Sequence, residues 1–106
     1  MTKIAFLFLT IDNINHPFFW EEYFKNNDDK INIYCHPKNP ENVTIPWLKK
    51  NIISKLVETD DGYITKAYFN LLAAALGDKD NIKFITISES CIPLIPFNKL
   101  YKNIME

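Results

Sequence analysis

The sequence predicts an α/β fold, in which a small, mostly parallel β-sheet carries helices on both faces. Apolar runs that do not alternate with polar residues, such as residues 4–9, are typical of strands buried on both sides. Segments with apolar residues at helical spacing separate these runs, which is the order expected of a parallel sheet. The 106 residues suffice for one modest core, so we expect residues 1–106 to form a single domain.

The first half of the chain divides into a strand, a helix and a second strand. Residues 4–9 form the first strand, and an Asp- and Asn-rich loop follows it. Pro17 starts the helix, because its fixed φ suits a first turn. The second strand covers residues 30–35 and is closed by His36 and Pro37. Residues 47–53 are ambiguous, with a short helical turn as one interpretation, and residues 55–57 are a candidate for a short third strand.

A long helix and another strand dominate the second half. Asp60, Asp61 and Gly62 form a helix-start signal. Apolar side chains then recur at helical spacing over residues 63–76, and Gly77 stands at the usual C-terminal position. Residues 82–87 are predicted to be a strand with an exit loop at 88–93. Residues 97–105 are predicted to be a last short helix.

Several classes of site are missing from the sequence. Gly62 and Gly77 are the two glycines, and neither follows a strand, so ordinary dinucleotide and Walker-type phosphate loops are excluded. There is no HExxH, no CxxC and no Asp-x-Asp after an apolar strand, so we expect no metal and no cofactor. Cys35 and Cys91 have neither metal spacing nor a disulfide framework, which favours reduced thiols.

Charge and hydropathy argue against nucleic acid and membrane partners. The net charge is -1 without a basic stripe, so phosphate-backbone binding is not expected. All 12 basic residues are lysine. The apolar run near the amino terminus is too short to cross a membrane, and no cleavage site follows it. We therefore expect a cytoplasmic protein, which for a viral source means the host cytoplasm or the virion.

The ends of the predicted strands carry the candidate site. Ligands of open parallel sheets sit beyond the carboxyl ends of the strands, which here are residues 10–13, 36–38 and 88–91. The stretch from Ser88 to Cys91 brings two hydroxyls, a carboxylate and a thiol together. It is either a ligand-contacting loop or a turn that caps the next segment.

Two further features each have two interpretations. His36 either hydrogen-bonds a uracil or a phosphate, or caps its strand end without meeting a ligand. A nucleophile–base pair of Cys91 with His36 is a weaker alternative, because no orienting acid or oxyanion hole is evident. A helix as aromatic as residues 18–24 more often packs in the core than serves as a platform for carbohydrate. Its aromatic face is wide, which suggests that a partner covers part of it.

Four segments resemble the Core-2/I-branching β-1,6-N-acetylglucosaminyltransferases, in particular their plant-type relatives. Residues 3–10 are similar to the family's opening strand and residues 17–24 to the helix that follows it. Residues 33–37 are similar to the second strand with its histidine. Residues 88–94, SESCIPL, match the plant-type form of the most recognisable motif at all seven positions.

This resemblance implies a Rossmann-like (GT-A-like) fold that transfers a sugar from a UDP-sugar with inversion and without a divalent metal. The residues that it places around the uridine diphosphate and the donor sugar are Thr10, His36, Ser88, Glu89, Ser90 and Cys91. The chain departs from the pattern at Thr59, where the family has a tryptophan, and at Tyr63 and Tyr68, where it has a serine and a glutamate. The region expected to carry the catalytic base is not represented, so no catalytic residue is assigned.

Two functions follow from these expectations. The first is a glycosyltransferase-like domain that binds a UDP-sugar, has little or no transferase activity alone, and works with a separately encoded second half. The alternative is a structural or interaction module derived from such an enzyme. Because a sheet cut short leaves an open edge and apolar surface, we also expect a homo-oligomer, most simply a two-fold dimer.

Overall fold

Three parallel strands form the centre of the fold. The computed structural model describes residues 2–58 and 61–105. Strand β1 covers Lys3–Thr10, β2 covers Ile31–Pro37 and β3 covers Asn81–Ser88, in the spatial order β2-β1-β3. Each outer strand pairs with β1 in parallel. The central strand is buried on both faces, as its continuous apolar sequence predicts.

Helices lie on both faces of this sheet, which confirms the predicted fold class. Helices α1 (Pro17–Phe24), α2 (Pro46–Lys49) and α4 (Phe97–Met105) pack on one face. Helix α3 (Tyr63–Leu76) packs on the other. Among the described residues, no helix is long and apolar enough to span a bilayer.

An aromatic cluster fills the face under α1. Phe6 and Phe8 project from β1 and meet Phe24 and Trp20 edge to face, with ring centroids 4.9 and 5.6 Å apart. Such edge-to-face pairs stabilise a core beyond the area that they bury. Trp20 and Phe24 are therefore core residues, whereas Phe18 on the same helix is 65% exposed.

The predicted strand at residues 55–57 is wrong. Within the described part of residues 50–62, pairing with the outer edge of β2 is limited to an isolated parallel bridge between Ile52 and Cys35. It then leaves the sheet, and the backbone N–H of Val57 donates to the His36 ring instead of to a neighbouring strand. Strand β2 in turn continues through His36 and Pro37, which were predicted to close it.

Helix α3 begins and ends where the sequence predicts, at Tyr63 and Leu76, but the geometry of its caps is unusual. The N-cap is Gly62, whose φ of 66° lies in the left-handed region that favours glycine, and no side chain caps the helix there. Thr59 and Asp60 lie outside the described residues. Gly77 does follow the helix, but in right-handed geometry with φ of -69°. A Cβ at Gly77 would lie 3.2 Å from the Ala74 carbonyl oxygen, so the tight ending favours glycine without a positive φ.

Candidate functional site at the carboxyl ends of the strands

The loops after β1 and β3 flank the point where the sheet changes direction. The connection from β1 runs through α1 to β2 on one side, whereas β3 lies on the opposite side of β1. In open parallel sheets this switch point forms the ligand crevice. The residues that border it are the loop from Ile11 to His16 and the SESC stretch from Ser88 to Cys91.

Three hydrogen bonds join these two loops across the crevice. The Ile11 N–H donates to Glu89 Oε1 at 2.8 Å. The Asn15 N–H donates to the Glu89 carbonyl at 2.7 Å, and its side-chain amide donates to Ser90 Oγ at 2.8 Å. Glu89 therefore positions the loop with both its backbone and its side chain. A carboxylate that accepts a backbone N–H makes a stronger bond than a neutral acceptor would.

The SESC stretch forms a turn that is tied to the core. Ser88 Oγ lies 3.1 Å from Cys91 Sγ, and the Cys91 N–H donates to the Ser88 carbonyl. The indole N–H of the buried Trp20 donates to the Cys91 carbonyl at 2.9 Å. Ser88, Ser90 and Cys91 are nevertheless exposed, so their side chains are accessible to solvent at the carboxyl end of β3.

A second set of bonds joins the β1 loop to the loop after β2. The Lys38 and Asn39 N–H groups donate to the carbonyls of Thr10 and Ile11 at 2.9 and 2.8 Å. The Asp12 carboxylate accepts from the side-chain amides of Asn42 and Asn39. These two hydrogen bonds, of which the bond from Asn42 has the larger effect, lower the pKa of Asp12 below its ordinary value of 3.8.

Asn13 extends this network, and the sequence reasoning missed it. Its side-chain oxygen accepts the Thr44 N–H at 2.9 Å, and its amide donates to Thr44 Oγ1 at 3.1 Å and to the Asn42 carbonyl at 3.2 Å. The signal in the sequence was the Asp-Asn composition of the loop, because short polar side chains commonly satisfy loop backbone groups.

His36 is completely buried. Its Nε2 accepts the Val57 N–H at 3.0 Å, so in this arrangement the ring is neutral and its proton is on Nδ1. Nδ1 lies 3.3 Å from the Tyr63 hydroxyl. Burial lowers the pKa of His36 from its ordinary value of 6.5, although backbone hydrogen bonding partly opposes this. Both nitrogens thus have partners inside the protein, and the contact with a uracil or phosphate stays a prediction.

Thr10 is also a buried member of the predicted site. It is 3% exposed, and its hydroxyl donates to the Asp12 carbonyl at 2.8 Å. Its oxygen lies 4.0 Å from Cys35 Sγ, and burial raises the pKa of that thiol to about 12. Thr10 and His36, which lie on opposite faces of the sheet, are therefore the buried layer of the site, and the exposed hydroxyls of the SESC stretch are its surface layer.

The alternative Cys91–His36 pair has no hydrogen bond within residues 2–58 and 61–105. The Cys91 thiol pairs with Ser88, and the His36 nitrogens pair with Val57 and Tyr63. The same part of the chain contains no cluster of three or more His, Cys, Asp or Glu side chains arranged for a metal ion.

An open groove of about 440 Å³ lies beside His36, at the carboxyl end of β2. The Lys38 ammonium stands 5.5 Å from the centre of the Tyr63 ring in this groove. A larger groove of about 530 Å³ lies elsewhere, between α1, α2 and the first half of β2. We centre the candidate site on the smaller groove and the crevice, because the ends of parallel strands converge there.

Comparison with known proteins identifies the family. The family model of the Core-2/I-branching enzyme matches residues 4–106, nearly the whole chain. The chain belongs to the Core-2/I-branching enzyme family. It is also 28% identical over 111 aligned positions to the curated protein "Glycosyltransferase BC10" of rice, Oryza sativa subsp. japonica. That match covers 97% of this chain but 28% of the rice protein. No solved structure matches significantly.

Membership of the Core-2/I-branching family confirms the resemblance that the four segments indicated. It establishes a glycosyltransferase-family domain with a small GT-A-like, Rossmann-type sheet. The chain spans less than a third of the length of the rice relative, so the activity of a whole enzyme of this family is not transferred to it.

Proposed function

We propose that this Core-2/I-branching domain binds a UDP-sugar in the crevice at the carboxyl ends of its strands. In this proposal it is the donor-binding part of a glycosyltransferase and has little or no transferase activity alone. The observation that carries the proposal is the position of the SESC stretch. It lies at the topological switch point and exposes the hydroxyls of Ser88 and Ser90 there.

The surface layer of the site supplies suitable contacts. The Ser88 and Ser90 hydroxyls can donate to phosphate or sugar oxygens. Oε1 of Glu89 accepts the Ile11 N–H. In this proposal the second oxygen of Glu89 accepts a ribose or sugar hydroxyl. Lys38 brings a positive charge to the same edge, next to the Tyr63 ring. The buried Thr10 and His36 bond the Asp12 carbonyl and the Val57 N–H, and so hold neighbouring loops.

The composition of the chain gives a physical reason to expect weak or absent catalysis. The chain contains no arginine, so no guanidinium is present to hold a diphosphate leaving group with two parallel hydrogen bonds. Stabilisation of developing charge is usually a large part of catalysis. A domain that binds the donor through hydroxyls and one nearby lysine would hold the sugar nucleotide without efficiently releasing UDP.

Thermal unfolding with added nucleotides tests the proposal. We expect UDP, UDP-glucose or UDP-N-acetylglucosamine at millimolar concentration to raise the unfolding temperature. A ligand at 100 times its Kd stabilises by about 2.7 kcal/mol, which at roughly 4–8 °C per kcal/mol is a shift of about 10–20 °C for a domain of this size. Ser90→Ala should reduce the shift, and Ser54→Ala provides a matched control at an exposed serine beyond β2.

The result that overturns the proposal is the absence of a shift with all three nucleotides. An equal shift in the wild type and in both Ser90→Ala and Glu89→Gln would place nucleotide binding outside the crevice. ADP is the control for the base, because a site that recognises only the diphosphate would respond equally to ADP and UDP.

The second candidate function is an interaction module. It is favoured by large apolar side chains that are exposed on α3, including Phe69 and Leu76, each 61% exposed. Surfaces of this kind mark protein contacts. The expected self-association is checked by sedimentation at micromolar concentration, where a well-folded monomer would contradict the homo-oligomer.

A further inference from the structure

Strand β2 lies at one edge of the sheet, and its outer side is only partly paired. The Cys35 N–H donates to the Asn51 carbonyl, and the Cys35 carbonyl accepts the Ile53 N–H. Because the backbone groups of alternate residues in a strand point to the same side, the N–H and the carbonyl of Ile33 also point outward. Within residues 2–58 and 61–105, no hydrogen bond joins either group to a residue on that side. Ile33 therefore presents one donor and one acceptor on the strand edge.

The open position arises where the chain itself leaves the sheet. If the parallel pairing at Cys35 continued by one step, the Asn51 N–H would donate to the Ile33 carbonyl. It donates instead to the Leu48 carbonyl, because the α2 turn ends there. The pairing thus stops at Cys35, and the first half of β2 keeps a free outer edge.

The groove of about 530 Å³ runs along this free edge. The consecutive residues 31–33 of β2 all line it. The Asn32 side chain is directed elsewhere, since its amide donates to Asp78 and Asn81. The groove therefore reaches the backbone of β2. The carboxyl half of α1 forms one side, and the other is formed by Trp47, Lys50 and Asn51.

The side of the groove next to α1 and α2 is apolar, and its charges balance. Ile33 and Trp47 pack against the same core cluster. The indole N–H of Trp47 donates to Glu21 Oε1 at 3.0 Å, which holds the half-buried ring in place. As many acidic as basic side chains line the groove, so it does not attract an anion such as a nucleotide. These side chains are Glu21, Asp28, Lys25 and Lys50.

We propose that this groove binds an extended peptide segment of a partner protein, which adds a short strand to the free edge of β2 by pairing with Ile33. An uncovered strand edge is a template for such pairing. A strand rises about 3.3 Å per residue, so residues 31–33 leave room for about three or four peptide residues. Every second side chain of the peptide would face Trp47 and Ile33, which favours apolar residues at alternate positions. The proposal does not depend on nucleotide binding.

The free backbone groups favour a peptide over a saccharide. The N–H and the carbonyl of Ile33 lie on the strand edge, next to the apolar part of the groove. The backbone of a second strand matches a donor and an acceptor in this arrangement at a spacing of about 4.8 Å. Its side chains cover the apolar part at the same time. A saccharide carries hydroxyls on every side, so it would set some of them against Ile33 and Trp47.

A second copy of the chain does not fit this edge. Two β2 strands would pair in antiparallel about a two-fold axis, and each would need a free edge of several residues. The edge beside Cys35 is already occupied by residues 51–53. A pairing centred on Ile33 would set Cys35 of one copy, with these residues beside it, against Ile31 of the other. A single extended peptide meets no such obstacle.

The experiment uses the full, isotopically labelled chain and short synthetic peptides with blocked ends. Threonine alternates in them with valine, leucine or phenylalanine. We expect at least one peptide to shift the NMR signals of Ile33 and Trp47 and to slow hydrogen exchange at the Ile33 N–H. Two N-methylated versions of that peptide block its two edges in turn. The version blocked on the paired edge should bind roughly fivefold more weakly for each hydrogen bond lost, and the other should bind as before.

A pair of variants tests the groove itself. Trp47→Leu should weaken binding, because it removes the aromatic side of the groove. Lys49→Ala is the matched control, since Lys49 is an exposed residue of α2 outside the groove lining. The N-methylated peptides act on the unchanged chain, so they decide the matter if Trp47→Leu fails to fold.

Three results overturn the proposal. The first is that no peptide binds, or that both N-methylated versions bind equally well. The second is that N-acetylglucosamine shifts the Trp47 signals while no peptide does, which would make the groove a saccharide site. The third is that self-association of the chain alone protects the Ile33 N–H, because a second copy would then be the occupant.

Discussion

Replacing His36 should change how the stability of the protein depends on pH. In the folded state the neutral His36 ring accepts the Val57 N–H, and burial lowers the pKa of His36 below 6.5. In the unfolded chain the pKa returns to about 6.5. Above that pH, both states hold a neutral ring and the group has no effect. As the pH falls below 6.5, the unfolded state takes up a proton that the folded state excludes, and stability decreases until the folded pKa is reached.

The size of this effect has a clear upper limit. One proton changes the free energy of unfolding by at most about 1.4 kcal/mol per pH unit. For a domain of this size, 1 kcal/mol corresponds to roughly 4–8 °C in unfolding temperature. The carboxyls of Asp12 and Asp78 do not interfere, because their pKa values are lowered from 3.8 and their stabilisation is lost only at more acidic pH.

The assay is thermal or urea unfolding between pH 7.5 and 5.5. His36→Gln keeps an oxygen that can accept the Val57 N–H but cannot titrate, so its stability should depend less steeply on pH. It should also be less stable at pH 7.5, because the fully buried His36 ring is lost. His16→Gln is the matched control, since His16 is exposed in the loop before α1. Equal slopes in the wild type and His36→Gln would refute the reasoning that a buried, neutral His36 couples folding to pH.

Two further predictions concern the thiols and helix α3. Iodoacetamide at pH 8 should add one group to the native protein, at the exposed Cys91, and a second group only after denaturation, because Cys35 is buried and its pKa is raised to about 12. Mass spectrometry counts the added groups, and rapid labelling of Cys35 in the native protein would contradict the prediction. Leu71→Ala should lower the free energy of unfolding by about 2–5 kcal/mol, since Leu71 is fully buried, whereas Leu76→Ala at a 61% exposed position should change it by less than about 0.5 kcal/mol. Urea unfolding compares the two variants, and equal losses of stability would refute the assignment of Leu76 to an uncovered surface.

The fold was predictable where local pattern and burial agree. The continuous apolar run of β1 indicated a strand buried on both faces, and Pro17 marked the start of α1. Residues 55–57 misled because two apolar residues after a lysine do not reveal where their N–H groups bond. The Val57 N–H goes to a histidine ring 21 positions earlier in the chain, and no local pattern encodes that contact.

The candidate site was predictable in position but not in its bonding. Parallel topology alone placed the three loops at one edge of the sheet. The roles of Asp12 and Asn13 depend on the loop at 39–45 folding back onto the β1 loop, which is a long-range contact. The sequence showed that Glu89 is a carboxylate near a strand end, but not that the Ile11 N–H already occupies one of its oxygens.

Substitutions in the buried layer and in the surface layer of the site have to be interpreted differently. Thr10 and His36 are buried and bonded to the protein, so replacing them alters the loops that they support, and any loss of ligand binding would accompany a loss of stability. Ser90 is exposed and accepts one bond from Asn15, so Ser90→Ala removes a hydroxyl with little change in the core. A UDP-dependent shift that falls in Ser90→Ala at nearly unchanged stability would therefore indicate direct contact, whereas a shift that falls only in His36→Gln would indicate that the loops alone were disturbed.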